Sequence, residues 1–166
     1  AFNIAAADQI WVVLPTSYFP SSVITALKQA LDDGKRIVIV AEWETFVSDP
    51  NSRIRLILNE LGVSSELGEK DLFFNCRNQE VIIGNSLLTN GVSSPMVLGA
   101  STNAILMGGA AVSLIKATEV GTTYDLVVAE NISNGQVVIF GDSNIVEGSN
   151  CNGFGFPFLP ANETLL

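Results

Sequence analysis

Gly141-Asp142-Ser143-Asn144 places a carboxylate, a hydroxyl and an amide in consecutive positions directly after the run Val137-Val138-Ile139-Phe140. An unbroken series of β-branched and aromatic residues is what a strand buried on both faces requires, and open α/β sheets gather ligands at the carboxyl ends of such strands. Two earlier loops repeat this grammar: Ile10 to Leu14 ends at Pro15-Thr16-Ser17, and Ile37 to Val40 ends at Ala41-Glu42-Trp43-Glu44. Thr16, Ser17, Glu42, Trp43, Asp142, Ser143 and Asn144 are therefore the candidate ligand-binding residues. Their hydroxyls and carboxylates could converge on one crevice and hold a sugar or a hard cation. Asp142, Asn144 and Glu147 are the candidate calcium ligands, since Asp-x-Asn spacing occurs in calcium loops, although the rest of that pattern is missing. A plainer reading has Asp142 bonding backbone amides to hold its turn, with the others as solvated loop residues. Glu42 and Glu44 could serve as acid and base on a glycoside, but residues two apart on an extended loop need not face one another. Trp43 between them is either a lid on the core or a platform for a sugar ring.

The chain contains no histidine. A Ser-His-Asp or Cys-His arrangement is thereby excluded, because no imidazole is present to take a nucleophile's proton near neutral pH. Two cysteines without histidine make a poor zinc set. No Gly-x-Gly-x-x-Gly follows the first strand and no Walker lysine loop occurs, so nucleotide binding has little support. No catalytic residue is assigned, and no cofactor other than calcium is expected.

Composition narrows the partners. At 166 residues, 48% hydrophobic and only 15% charged, the chain is long and apolar enough for a full core. Its formal net charge of −9, from 17 acidic and 8 basic residues, disfavours nucleic acid and bare anionic membranes, both of which select clustered Lys and Arg. No apolar run reaches the length of a membrane span. The start, Ala1-Phe2-Asn3-Ile4, lacks both Met and the basic opening of a signal peptide. The end, Asn162-Glu163-Thr164-Leu165-Leu166, reads as the opening of a capped helix with too few residues to complete it. Both ends suit a mature or excised piece. Cys76 and Cys151 are compatible with a disulfide or with two buried thiols, and the sequons at Asn131 and Asn162 with glycosylation. Together these features fit an exported protein, extracellular or at a cell surface.

The elements that must position the candidate residues follow from periodicity. Ile10 to Leu14 reads as a strand. Ser21 or Ser22 then caps a helix with apolar positions Val23, Ile24, Ala26, Leu27, Ala30 and Leu31, closed by Asp32-Asp33-Gly34, before the strand Ile37 to Val40. Such a unit predicts two parallel strands. Asn51 or Ser52 caps a second helix carrying Ile54, Leu56, Ile57, Leu58 and Leu61, with Gly62 as its left-handed stop. From Val63 to about Gly121, short apolar runs alternate with Gly, Asn and Ser, which predicts short strands in hairpins and meanders, with a turn at Gly108-Gly109. Asn134-Gly135 is a two-residue hairpin signal linking the strand Leu126 to Val128 with Val137 to Phe140. The expected architecture is a three-layer α/β fold, a mostly parallel sheet flanked by helices, with an irregular strand-rich middle. Residues 1–152 form the domain and 153–166 a tail. Phe154, Phe156 and Phe158 in that tail pack either on the domain's own core or on a neighbouring domain or subunit.

These segments resemble a known family. The strand ending in Leu-Pro-Thr, the helix closing in Asp-Gly-Lys-Arg before Ile-Val-Ile-Val, and the late Gly-Gln-Val-Val-Ile-Phe-Gly-Asp-Ser-Asn are similar to class I glutamine amidotransferase-like domains of the flavodoxin-like type. The likeness is to their non-catalytic relatives in gliding-motility transport accessory proteins, intraflagellar transport proteins and exported bacterial proteins. Asn85 to Val92 resembles that group's His-Pro-(Ile/Leu)-Thr-x-Gly-Val passage, with the His-Pro replaced. Catalytic members carry Cys in Gly-x-Cys-x-Gly and a His; here Cys76 and Cys151 lie in no such elbow. The resemblance, spanning Gln9 to Val146, therefore implies a non-enzymatic interaction or structural module that binds a protein partner, itself or a small ligand. The alternatives are a hydrolase or amidotransferase-like enzyme with a degenerate site, or a calcium- or carbohydrate-binding domain.

Overall fold

A computed structural model describes residues 4–44, 48–72, 78–79, 81–84, 87–90, 96–97 and 102–143. In chain order these give β1 (Gln9–Val13), α1 (Ser21–Asp32), β2 (Arg36–Val40), α2 (Ser48–Leu61) and β3 (Glu66–Leu72). There follow β4 (Asn78–Gln79), β5 (Val81–Ile83), β6 (Met96–Val97), β7 (Thr102–Leu106), β8 (Ala111–Glu119), β9 (Thr122–Ile132) and β10 (Gly135–Phe140).

Eight strands join in one sheet, with the path β1-β2-β10-β9-β7-β3; β8 lies against β9 and carries β5, and β4 pairs with β6 separately. Parallel pairing is confined to β1-β2 and β2-β10, and every other described pair is antiparallel. The expectation of a mostly parallel sheet is corrected accordingly. Its cause is connection length: two-residue turns at Val120-Gly121 and Ser133-Asn134 join β8 to β9 and β9 to β10, and so short a link allows only antiparallel neighbours. The α/β class holds, as does the strand-rich middle.

Both helices cover the same face. Leu27, Ala30 and Leu31 of α1 and Ile54, Ile57, Leu58 and Leu61 of α2 pack with Ile10, Val12, Ile37, Ile39, Val137 and Ile139. The opposite face carries no described α-helix, only Leu88 of a single 3-10 turn at Leu87–Thr89, so three layers are not what the described residues build. There the sheet curls on itself: β8 has two register shifts, between Ser113 and Ile115 and between Ile115 and Lys116, and such bulges bend a strand. Leu114, Ile115 and Val81 are thereby brought into one cluster with Val38, Val138 and Phe140. Complete burial of a residue such as Ile139, 0% exposed, contributes about 1.5–3 kcal/mol.

Local chemistry sets the element ends. α1 closes at Gly34, whose φ of +81° is the left-handed stop; its N-cap is Pro20, with no side-chain bond, rather than Ser21 or Ser22. α2 begins at Ser48, three positions before the expected cap at Asn51. Pro50 falls in its first turn, where an amide would have no helical partner. The hairpin turn is Ser133-Asn134, one residue before the expected Asn134-Gly135. Gly135 serves close packing instead: a Cβ there would stand 2.4 Å from the Lys35 carbonyl oxygen and 2.8 Å from Leu31 Cα. A turn forms at Gly109-Ala110, one residue after the expected Gly108-Gly109, with Ala111 N–H donating to the Gly108 carbonyl at 3.1 Å.

Candidate functional site at the carboxyl edge of the sheet

Because β2 lies between β1 and β10 and all three run parallel, their carboxyl ends emerge together. The backbone continues the pairing past the strands: Leu14 N–H donates to the Val40 carbonyl at 3.3 Å and Ala41 N–H to that of Phe140 at 2.9 Å. Glu42 and Ser143 consequently meet, and the Ser143 hydroxyl donates to Glu42 Oε2. Glu42 Oε1 accepts the Trp43 amide at 2.9 Å. Both carboxylate oxygens are thus engaged within a residue only 8% exposed.

Two asparagines complete the cluster. Asn51, inside α2, accepts the Glu42 amide at 3.2 Å and donates to the Glu42 carbonyl at 2.6 Å, which fixes the helix to the end of β2. Asn103 in β7 donates to that same carbonyl at 2.6 Å, while its own amide N–H donates to the Gly141 carbonyl at 3.0 Å. Asn51 and Asn103 are fully buried, and buried side-chain bonds to the backbone of this kind specify one arrangement of the elements around them. Asn103 Oδ1 has no hydrogen-bond partner.

Glu44 turns away from Glu42. It forms a two-pronged ion pair with Arg55 at 3.1 and 2.9 Å and accepts from Asn51 at 2.9 Å; its amide donates to Asp71 at 3.0 Å. Fork-to-fork geometry is the strong form of an Arg–carboxylate contact. The two carboxylates therefore have different partners, Ser143 and the Trp43 amide for Glu42 and Arg55 and Asn51 for Glu44, with Asn51 linking the Glu42 backbone to the Glu44 carboxylate.

The candidates read from the sequence separate into distinct environments. Glu42 and Ser143 are in contact; Asp142 is fully buried beside them, and Trp43 is half-buried. Thr16 and Ser17 are exposed after β1. Asn144 and Glu147 of the calcium set lie outside the described residues, as do Cys76, Cys151, Asn162, Phe154, Phe156 and Phe158. Asn131 is exposed at the end of β9, where its Oδ1 accepts from Gln136 at 3.2 Å. No group of three or more His, Cys, Asp or Glu side chains able to hold a metal occurs among the described residues. No helix among them is long and apolar enough to cross a membrane.

One carboxylate that sequence reasoning passed over is the most heavily bonded. Glu130 in β9, 3% exposed, accepts from the amide and hydroxyl of Ser64 at 2.8 and 2.6 Å and from those of Ser65 at 3.0 and 2.8 Å. Burial pushes its pKa up, but the four bonds outweigh burial and hold the carboxyl below its ordinary value. Ser65 Oγ also accepts the Gly108 amide at 3.0 Å, so one carboxylate ties the α2–β3 and β7–β8 connections to the sheet.

No protein-family model matches the chain, and no curated protein matches it. Solved structures match in fold. The N-terminal domain of mmIFT52 has a TM-score of 0.64 at 12% identity, over 98% of this chain and 75% of that one. The cytoplasmic protein STM1381 from Salmonella typhimurium LT2 has a TM-score of 0.61 at 11% identity, over 84% of this chain and 62% of that one. A β-galactosidase from Bacillus circulans sp. alkalophilus has a TM-score of 0.59 at 12% identity, over 82% of this chain and 20% of that one. The chain therefore spans less than two thirds of STM1381 and a fifth of the galactosidase. At these identities the likeness is one of fold alone.

Proposed function

We propose that this chain is a non-enzymatic interaction module of an exported or surface-associated protein, engaging a partner subunit or small ligand along the carboxyl rim of its sheet. Glu42 carries the reading. A carboxylate with both oxygens bonded and almost no exposure is poorly disposed to exchange protons with a substrate, and the chain has no histidine to replace it. Glu44, neutralised by Arg55, is no better placed as a second acid or base. Thr16 and Ser17 stay exposed and form the part of the rim open to a partner. The three Phe residues of 153–166 are proposed as further contacts.

The alternative, an enzyme with a degenerate or relocated site, draws on the fold likeness to β-galactosidases, which covers a fifth of the galactosidase chain. Assay of the purified chain with glutamine, peptide and β-galactoside substrates separates the two. The module reading expects no turnover above buffer, and turnover abolished by Glu42→Gln or Asp142→Asn refutes it. Sedimentation of the chain with and without residues 153–166 tests the Phe contacts, and an unchanged monomer in both removes self-assembly through them.

A further inference from the structure

A groove of about 540 Å³ runs between α2 and β3 and reaches Leu106 of β7. None of Thr16, Ser17, Glu42, Asp142 or Ser143 lines it, and it meets the carboxyl rim through Arg55, the ion-pair partner of Glu44. Among the described residues β3 is a terminal strand, paired with β7 alone. A terminal strand presents backbone carbonyls and amides that a further strand could bond. Here two of those carbonyls are held by a side chain: Arg55 Nε donates to the Leu67 carbonyl at 3.4 Å and Arg55 Nη2 to that of Gly68 at 3.1 Å. The register of β3 shifts between Leu67 and Asp71, which lets these two consecutive carbonyls meet one guanidinium; a 3.4 Å bond is long for N–H to O, and a main-chain amide of an added strand could replace it at Leu67.

Leu58, Val63 and Leu67 give the groove an apolar floor, and Leu106 at its rim is 58% exposed. Its charge is one-sided. Arg55 is neutralised by Glu44, which leaves Glu66 and Glu69, both exposed and neither in an ion pair with a described cation. A second copy of this chain would set Glu66 and Glu69 against themselves, and Lys70, the cation of the same strand, is already paired with Glu119 at 3.9 Å, so charge argues against self-pairing at this edge.

We propose that the groove binds an extended segment of a protein partner by β-strand addition. A main-chain amide of the segment takes over the Leu67 carbonyl from Arg55, which keeps its bond to Gly68, and an apolar side chain enters between Leu58 and Leu106. Lys or Arg residues flanking that anchor face Glu66 and Glu69. Main-chain bonds supply the attachment and alternate side chains the selectivity. Until a segment arrives, Arg55 masks the edge.

The test is selection of phage-displayed random decapeptides on the purified chain. Enriched sequences are expected to alternate apolar residues with Lys or Arg. As synthetic peptides they should shift the backbone amide resonances of residues 66–71 and lose binding when alternate amides are N-methylated. The exposed double substitution Glu66→Gln, Glu69→Gln should weaken them about fivefold, as two part-exposed ion pairs would. The proposal is overturned if no peptide is enriched, if the enriched ones are acidic, or if binding survives both N-methylation and the double substitution.

Discussion

Replacing Glu130 by Gln removes one charge and one acceptor from a carboxylate that receives four hydrogen bonds. The Gln oxygen can still accept from Ser64, but its NH₂ group then meets the Ser65 amide, donor against donor. Ser65 is 1% exposed, so water cannot take over. An unsatisfied buried donor costs about 1–3 kcal/mol, and the remaining bonds weaken as their acceptor loses its charge. Together these give a loss of about 3 kcal/mol, or about 6–12 °C in Tm for a chain of this length. The pH dependence has a fixed sign. Glu130 titrates below its ordinary value in the folded chain, so its contribution is complete above the unfolded value of about 4.3. That contribution is lost as pH falls through the lowered folded value. Urea unfolding followed by tryptophan fluorescence at neutral pH and near pH ~2.5 should show a wide gap between wild type and variant that narrows in acid. A gap below about 0.5 kcal/mol at neutral pH, the range of ordinary surface substitutions, or one of equal size in acid, would overturn this role for Glu130.

Val120 has a φ of +47° and is 98% exposed at the β8–β9 turn, a conformation hostile to a β-branched residue. Val120→Asn should therefore stabilise the chain by about 1 kcal/mol, seen as a rise in thermal midpoint. Gly135→Ala would force a Cβ against the Lys35 and Leu31 backbone and should cost about 2–3 kcal/mol in chemical denaturation. Gly109→Ala, with nothing within 4 Å of the added Cβ, should be neutral to within about 0.5 kcal/mol by the same measurement. Arg55→Met leaves Glu44 without its cation and two β3 carbonyls without their donor; breaking such a pair should cost about 3 kcal/mol in urea unfolding.

The central strands were legible because Ile37 to Val40 and Val137 to Phe140 are apolar without interruption, and the carboxyl-end rule grouped Glu42 and Ser143 on one edge; that the two strands are neighbours is visible only in the structure. α1 was legible for a similar reason, its apolar stripe having a single period. The start of α2 was misplaced because Asn51 has the chemistry of a cap, whereas its side-chain amide reaches from within the helix to Glu42. Gly135 drew attention as a turn residue, yet it is required by the closeness of Leu31. Local pattern carries no trace of either fact. Asn103 and Glu130 escaped notice altogether: each acts on a partner more than sixty positions away, and nothing in their immediate sequence distinguishes them from solvated strand residues. The parallel-sheet expectation gave most weight to two strong strand–helix repeats, whereas the middle region, read as hairpins and meanders, supplies more strands of the same sheet, all paired antiparallel.

Whether the rim carboxylate holds the fold together is decided by a double-mutant cycle on Glu42→Gln and Ser143→Ala. Urea unfolding of the four proteins should give a coupling energy of about 1–2 kcal/mol, the range for a buried bond to a charged acceptor. Zero coupling, with Glu42→Gln as stable as wild type, would mean that the carboxylate is free to serve a ligand or a reaction, and would contradict its structural role at the end of β2.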